Sequence, residues 1–320
     1  MTLRQSPCSH HGGLVFELVF LGTSASAPSL HRGLSAQVVS FRDYRFLIDC
    51  GEGTQRQILR SGIGFRRLSR ILITHGHLDH ILGLAGLIST FARWEAIESL
   101  EIWAGAWALE RIRNLIYGVV LRGDRPSMKI ELIPIESGIL LEHEGLRLSA
   151  FPVHHRGPDS FGFLFEEQGR RPFDVERAEK LGIPEGPIRR ELVAGKSVVL
   201  PGGRAVSPED VLGSWRRGTR LVHVGDCSHT EDLAQVCEAA DALIIEATYL
   251  DYEAELARKF GHLTAKKAAE LAAEANVQRL FLTHISRRYR EGDVLAEASS
   301  VFPNSTVVRD FDSFEIRREE

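Results

Sequence analysis

The apolar run Ile71-Leu72-Ile73 passes directly into Thr74-His75-Gly76-His77-Leu78-Asp79-His80. No other feature constrains the fold as strongly. A short run of β-branched and aliphatic residues reads as a buried strand. The chain must leave that strand on a tight polar turn that carries three imidazoles and a carboxylate within six residues. Such a turn can aim His75 and His77 at one point and Asp79 and His80 at a neighbouring point. Imidazoles and carboxylates are donors that zinc and similar divalent ions accept. The spacing therefore suggests two metal sites that share one loop.

The rest of the chain supports a soluble globular protein. It has 320 residues, enough for one large α/β domain or two ordinary ones. Hydrophobic residues make up 43% and charged residues 26%, ordinary values for such a protein. Its apolar runs fall well short of the ~20 residues that span a bilayer, so no membrane role is expected. Met1 to Gly13 is polar and lacks the charged-then-apolar pattern of a signal peptide. Cys8, Cys50, Cys227 and Cys237 show no C-x-x-C pairing and read as reduced thiols in a cytoplasmic protein. The net charge of −4 gives no global sign of nucleic-acid binding, which would need a local basic patch.

Strand-like and helix-like segments alternate through both halves, the pattern of an α/β fold. Strands are expected over Leu14–Leu21, Ala36–Ser40, Tyr44–Asp49, Arg70–Thr74, Leu100–Ala104, Lys129–Ile133 and Leu146–Val153. Further strands follow at Leu221–Val224, Ala242–Ile245 and Arg279–Thr283. Helices are expected over Gly53–Ser61, Ile81–Glu95 and Thr264–Ala275, the last with Thr264 as its N-cap. The stretch from Glu166 to Ser207 is different. It is rich in Gly, Pro and charge, and it is too long for an ordinary connection. It is either disordered or a functional excursion from the main body.

The opening loop offers four donors, too few for two metal sites. Further donors follow other strands: Leu146–Val153 runs into His154-His155, Leu221–Val224 into Gly225-Asp226, and Arg279–Thr283 into His284. In open α/β sheets, ligands gather outside the carboxyl ends of strands. Donors at the ends of strands from both halves are hard to explain by packing.

The T-H-G-H-L-D-H run resembles the metal-binding signature of the metallo-β-lactamase superfamily. The L-I-D-C-G-E-G-T-Q run at Leu47–Gln55 resembles the preceding loop of the tRNase Z family, the tRNA 3′-processing endoribonucleases. The likeness continues through P-V-H-H-R-G from Pro152, V-G-D-C at Val224–Cys227 and I-E-A-T-Y at Ile245–Tyr249. It ends with G-H-L-T at Gly261–Thr264 and T-H-I-S-R-R-Y at Thr283–Tyr289. The last three runs are the most specific to tRNase Z. The chain departs from the family pattern at Arg32-Gly33-Leu34-Ser35, where an Arg-Asn pair followed by Ser is frequent. It departs again at Cys227, often Thr, and at Ile245, often His.

The resemblance implies a four-layer αββα sandwich, a single domain over 1–320 with a flexible exosite arm inserted at 166–207. It implies two Zn²⁺ ions, with Mn²⁺ or another divalent ion as the alternative. His75, His77 and His155 would hold the first ion, with His154 as the fallback for His155. Asp79, His80 and His284 would hold the second, and Asp226 would bridge both. Asp79 can also orient or deprotonate the attacking hydroxide. His262, oriented by Glu246, is the candidate general acid. Ser286 and Arg288 can hold the scissile phosphate, Arg through its bidentate geometry. In the arm, Arg170, Arg171, Lys180, Arg189, Arg190, Lys196 and Arg204 can supply phosphate contacts. Gly182–Ile188, reading G-I-P-E-G-P-I, resembles the Gly-Pro motif of the family's arm. The implied activity is cleavage of precursor tRNA 3′ of the discriminator nucleotide by a homodimer. The alternative is a metal-dependent phosphodiesterase or exoribonuclease acting on other substrates.

Overall fold

The computed structural model describes residues 15–94, 97–124, 126 and 128–318. Leu14 and Glu95, the ends of two expected elements, lie outside the described residues, as does the Met1–Gly13 stretch with Cys8. The chain forms two compact units.

Among the described residues, the larger unit runs up to Glu166 and resumes at Thr219, and it contains two seven-stranded sheets. The first sheet has the spatial order Ser313–Ile316, Phe16–Gly22, Ala36–Phe41, Tyr44–Ile48, Arg70–Leu72, Ser99–Ala104 and Lys129–Pro134. The second runs Ser305–Val307, Leu280–Thr283, Ala242–Glu246, Arg220–Gly225, Phe161–Glu167, Leu146–Pro152 and Gly138–His143. All of the expected strands are present, with ends shifted by a few residues.

Side-chain alternation explains why the sheets stack. In Phe16–Gly22, Phe16, Leu18 and Phe20 join the core between the sheets, while Val19 and Leu21 pack with the outer helices. Phe163, Phe165, Leu221, Ile244 and Phe281 meet them from the second sheet. On the outer face of the first sheet, Leu47, Ile71, Ile73 and Ile102 cluster with Ile58 of helix Thr54–Ser61 and with Leu84, Leu87, Ile88 and Phe91 of helix Gly83–Trp94. Outside the second sheet, Val222, Leu243, Ile245 and Leu282 cluster with Ala268, Leu271 and Ala272 of helix Ala265–Glu274. Strands Ala242–Glu246 and Leu280–Thr283 are covered on both faces and are buried throughout, as expected for parallel strands between layers. The layers are therefore helix, sheet, sheet, helix. Thr264 caps helix Ala265–Glu274, its side chain accepting from Lys267 N.

The parallel parts of the two sheets fix where the site lies. Strands Tyr44–Ile48, Arg70–Leu72, Ser99–Ala104 and Lys129–Pro134 run parallel, as do Arg220–Gly225, Ala242–Glu246, Leu280–Thr283 and Ser305–Val307. Their carboxyl ends deliver Asp49, His75, Asp226, Thr248 and His284 to one edge of the sandwich. Phe161 N donates to Thr74 O at 2.8 Å and Ile285 N to Thr23 O at 2.8 Å, so the two sheets are stitched at this edge. Gly225 has φ 77°, and a Cβ there would sit 3.1 Å from Thr74 Cγ2. Glycine lets the strand turn into Asp226 this close to the opposite sheet.

The smaller unit, Glu167–Gly218, has its own core of Ala178, Ile183, Leu192, Val198, Val206 and Val211. Helix Val175–Lys180 starts on Asp174, whose side chain accepts from Arg177 N, and helix Pro187–Val193 starts with Pro at its first turn. Strands Val198–Val199 and Ala205–Val206 pair antiparallel, and bridges Arg170↔Arg216 and Phe173↔Leu212 close the unit. The unit thus continues past Ser207 to Gly218. Among the described residues, no helix is long and apolar enough to cross a membrane.

Candidate metal centre and active site

The turn after Arg70–Leu72 does more than break the strand. Leu78–Ile81 forms a one-turn helix that carries Asp79 and His80, and helix Gly83–Trp94 follows it. A Cβ at Gly83 would lie 2.0 Å from Gly51 O, so the helix can start here only as glycine, pressed against the loop after Tyr44–Ile48.

The donor atoms gather around one carboxylate oxygen. Asp226 Oδ2 lies 3.4 Å from the Nε2 atoms of His80 and His284, 3.8 Å from His155 Nε2 and 3.9 Å from His75 Nε2. On one side His75 Nε2 and His155 Nε2 approach His77 Nδ1 at 2.9 and 3.2 Å. On the other, Asp79 Oδ2 lies 3.4 Å from His284 Nε2 and 3.7 Å from His80 Nε2. The groups His75/His77/His155 and Asp79/His80/His284 each place their donor atoms within 4.8 Å of one another. His154 stands apart. Its side chain is 60% exposed, pairs with Asp232 at 3.2 Å and stacks on His229.

Each Nε2 donor is aimed by an oxygen on its other ring nitrogen. His75 Nδ1 meets Thr74 Oγ1 at 3.0 Å, and His80 Nδ1 meets Asp49 Oδ2 at 2.7 Å. His155 Nδ1 meets Gly261 O at 2.7 Å, and His284 Nδ1 meets Thr248 Oγ1 at 2.9 Å. Such outer contacts fix ring tautomer and orientation in metal sites. Asp49, Thr74 and Thr248 are site residues that the strand-end pattern alone does not single out. Asp49 is fully buried and also accepts from Thr74 N at 2.9 Å. His284 and Asp49 adopt φ of 55° and 58°, a left-handed conformation rare for residues other than glycine.

The cluster suits divalent metal on two observations. His80 Nε2 is buried and has no hydrogen-bond partner among the described residues, though two carboxylates face it. Burial and the surrounding imidazoles hold His75 well below its usual range, and burial with His155 lowers His77 to about 4. Burial also lowers His155, against the pull of Asp226 and Glu246. These rings are therefore neutral, the form that binds metal. Burial opposes the ionisation of Asp79, but His80 and His284 hold it below the usual carboxylate range. Asp226 is likewise held well below that range by His284 and His80, in spite of burial.

His262 sits beside the donors without belonging to either group of three. Its Nδ1 lies 2.9 and 3.1 Å from the two Glu246 oxygens and 3.9 Å from Asp226 Oδ2. Burial opposes its protonation, yet the Glu246 carboxylate outweighs it and lifts His262 to about 9. Glu246 is fully buried and is fixed by donation from Cys227 N at 2.7 Å and from Thr248 Oγ1. The departures at Cys227 and Ile245 leave this carboxylate in place.

His77, His155 and His262 open onto a cleft of about 460 Å³, also lined by Ser286 and Arg288. Arg288 is half exposed and its guanidinium donates to Glu253. Arg32, in the loop that departs from the family pattern, turns inward to Thr23 Oγ1, Val308 O and Glu291. In the smaller unit, Lys180, Arg190, Lys196, Arg170 and Arg204 are exposed. Arg171 instead makes a bidentate pair with Glu209 at 2.6 and 2.7 Å. Arg189 is largely buried, donating to Ile183 O and lying over the Phe173 ring. These two side chains stabilise the unit's own fold.

A helix–sheet–sheet–helix sandwich with such an edge defines a metal-dependent hydrolase of the metallo-β-lactamase superfamily, and comparison with known proteins agrees. Residues 193–285 match the model of a beta-lactamase superfamily domain, and residues 16–178 match that of the Anti-Pycsar protein Apyc1. The chain is 48% identical over 298 residues to Ribonuclease Z of Bradyrhizobium diazoefficiens, covering 93% of this chain and 99% of the relative. It is 39% identical over 311 residues to Ribonuclease Z of Archaeoglobus fulgidus, covering 96% and 100%. The crystal structure of the short form of human tRNase Z superposes with a TM-score of 0.66 at 27% identity, covering 94% of this chain and 99% of that one. This chain belongs to the ribonuclease Z family.

Proposed function

We propose that this protein is a zinc-dependent endoribonuclease that cuts precursor tRNA on the 3′ side of the discriminator nucleotide. It removes the 3′ trailer and leaves a 3′-hydroxyl on the tRNA. The observation that carries this reading is His262: an imidazole held through Nδ1 by a buried carboxylate, beside seven metal-type donors at the floor of a cleft. His75, His77 and His155 would hold one ion, Asp79, His80 and His284 the other, and Asp226 would lie between them. Nitrogen and carboxylate donors suit zinc, and manganese is the alternative. When bound, such a pair supplies a water of lowered pKa and offsets charge at phosphorus.

The protein's own groups do the rest. Asp79, ionised at neutral pH and fixed by Ser26 N at 3.0 Å, can orient the attacking water and accept its proton. As the bond from phosphorus to the 3′ oxygen breaks, His262 donates its proton to that oxygen. Glu246 keeps Nδ1 occupied and so leaves Nε2 for the substrate. Ser286 and Arg288 line the cleft where they can grip the non-bridging oxygens. The Glu167–Gly218 unit acts as an exosite arm, with Arg170, Lys180, Arg190 and Lys196 supplying phosphate contacts in addition to those at the cleft. The working form is a cytoplasmic homodimer in which one subunit's arm holds tRNA for its partner's site.

The test is cleavage of a precursor tRNA with a defined trailer, with both product ends mapped. The expected products are tRNA ending in a 3′-hydroxyl at the discriminator and one intact trailer. A ladder of stepwise shortened products, or a cut elsewhere, would overturn the reading.

A further inference from the structure

A row of aromatic rings leads from the proton donor to the protein surface. Tyr249 lies 6.2 Å from His262, centroid to centroid. Tyr289 packs on Tyr249 at 6.4 Å, and Tyr252 packs edge-on against Tyr289 at 6.1 Å. Tyr249 is buried, whereas Tyr252, at the outer end, is 76% exposed. A single perpendicular contact at that exposure leaves at least one face of the Tyr252 ring open to solvent.

An exposed tyrosine alone would mean little. This one is displayed on a fixed turn. Tyr252 is the middle residue of the one-turn helix Asp251–Glu253. Asp251 N donates to both Glu297 oxygens at 2.9 and 3.1 Å, and its carboxylate receives Lys266 Nζ at 2.9 Å. At the other end of the turn, the Glu253 carboxylate accepts from both the Tyr289 hydroxyl and the Arg288 guanidinium. The neighbouring loop reads Ser286-Arg287-Arg288-Tyr289-Arg290, and its three arginines are exposed. Aromatic faces interleaved with arginines are how proteins hold single-stranded nucleic acid. The ring takes a base, and the cations take its phosphates. Arg288 also lines the cleft that holds His262.

We propose that Tyr252 is a stacking platform for one unpaired nucleobase flanking the scissile phosphate, on a turn whose Glu253 holds Arg288 and Tyr289. The inference rests on the endoribonuclease reading above and deepens it. An open ring has a face for any base, so the platform sets where the strand lies without reading its sequence.

The test is kcat/KM on precursor tRNA for the full-length parent, Tyr252→Ala and Tyr252→Trp, with bound metal measured in each. Each enzyme also cuts substrates carrying one abasic nucleotide, at the discriminator or at either of the first two trailer positions. Tyr252→Ala should lose roughly 5- to 150-fold in kcat/KM, the usual scale for one base–aromatic stack. The loss should fall mainly on KM, as for an interaction equal in ground and transition states. Tyr252→Trp should keep parental activity. At one abasic position the parent should drop to the level of Tyr252→Ala, while that variant should lose nothing more; a merely structural tyrosine would not produce this convergence. Tyr252→Ala within about twofold of the parent, or additive losses at every abasic position, would overturn the platform. A parent that fails to cut precursor tRNA at the discriminator would instead overturn the functional reading, and this inference with it.

Discussion

Replacing Asp49 by Asn should weaken metal binding although Asp49 is not itself a donor in either group of three. Its Oδ1 accepts from Thr74 N at 2.9 Å and its Oδ2 meets His80 Nδ1 at 2.7 Å, all at full burial. Burial opposes protonation of His80, but Asp226, Asp49 and Asp79 raise it well above its usual range. Asp49 holds the Nδ1 proton, so Nε2, facing Asp226 and Asp79, is the nitrogen that would give up its proton to bind a metal ion. An amide cannot satisfy both partners. With its nitrogen toward His80, it makes Nδ1 an acceptor and moves the ring proton to Nε2, where it blocks the lone pair. With its nitrogen toward Thr74, it sets two donors against each other in a buried space. Either way one hydrogen bond to a charged group is lost, about 1.5–3 kcal/mol. Removing such an outer partner usually lowers metal affinity by about 10–100-fold, the same range of energy. The assay is competition with a chromophoric chelator near neutral pH, with thermal unfolding of the metal-free variant as a control on folding. Parental affinity, within about twofold, would refute this account of how His80 is aimed.

Three further outcomes follow from the same geometry. His262→Ala should keep bound metal and tRNA affinity but lower the single-turnover cleavage rate by roughly 10²–10⁴-fold; an unchanged rate would remove His262 from the mechanism. Deleting Glu167–Gly218 should raise KM for precursor tRNA sharply and flatten the salt dependence of binding, while sparing hydrolysis of a small chromogenic phosphodiester; equal loss on both substrates would mean that the unit supports the fold. His223 is buried, with Nε2 on Gln37 Oε1 at 3.1 Å, and burial lowers it to about 4. Its contribution to stability is full above about pH 6.5 and is lost as pH falls from there toward about 4, a loss of about 3 kcal/mol by linkage. The metal-free protein should therefore lose more stability over that window than His223→Gln, measured by denaturant unfolding. Equal losses would contradict this.

The strand-to-donor junctions were legible because burial and chemistry meet at single residues. Ile71–Ile73 must be inside, so the histidines that follow must turn together at its end. The same holds where Leu221–Val224 meets Asp226 and where Arg279–Thr283 meets His284. Asp49 follows a strand in the same way, but a lone carboxylate there reads equally as a turn residue. Its partners Thr74 and His80 lie 25 and 31 residues on, and only the parallel pairing of two strands brings them together. Three strands of the second sheet escape sequence reading. Ser305–Val307 is too short, at three residues, to show a pattern, and the other two escape for different reasons. Gly138–His143 is an edge strand exposed at both ends, so its apolar alternation is weak. Phe161–Glu167 contains Gly162, which weakens a strand pattern. A Cβ at Gly162 would strike Phe151 at 2.3 Å, so that glycine records a close approach between neighbouring strands. The expected helix Ile81–Glu95 is split, because the donor loop forms its own one-turn helix over Leu78–Ile81 and the long helix starts only at Gly83. The smaller unit continues to Gly218 because its closing bridges lie after Ser207, at Leu212 and Arg216, where composition gives no signal.

The central claim is that cleavage of precursor tRNA requires metal held by these residues. The most direct measurement strips the protein with chelator and then restores zinc stepwise, counting bound ions and cleavage rate in the same samples. The account predicts negligible cleavage without metal and parental cleavage as occupancy approaches about two ions per chain. His77→Ala and Asp226→Ala should recover neither metal nor activity. Metal-free protein that still cuts precursor tRNA at the parental rate would contradict the account.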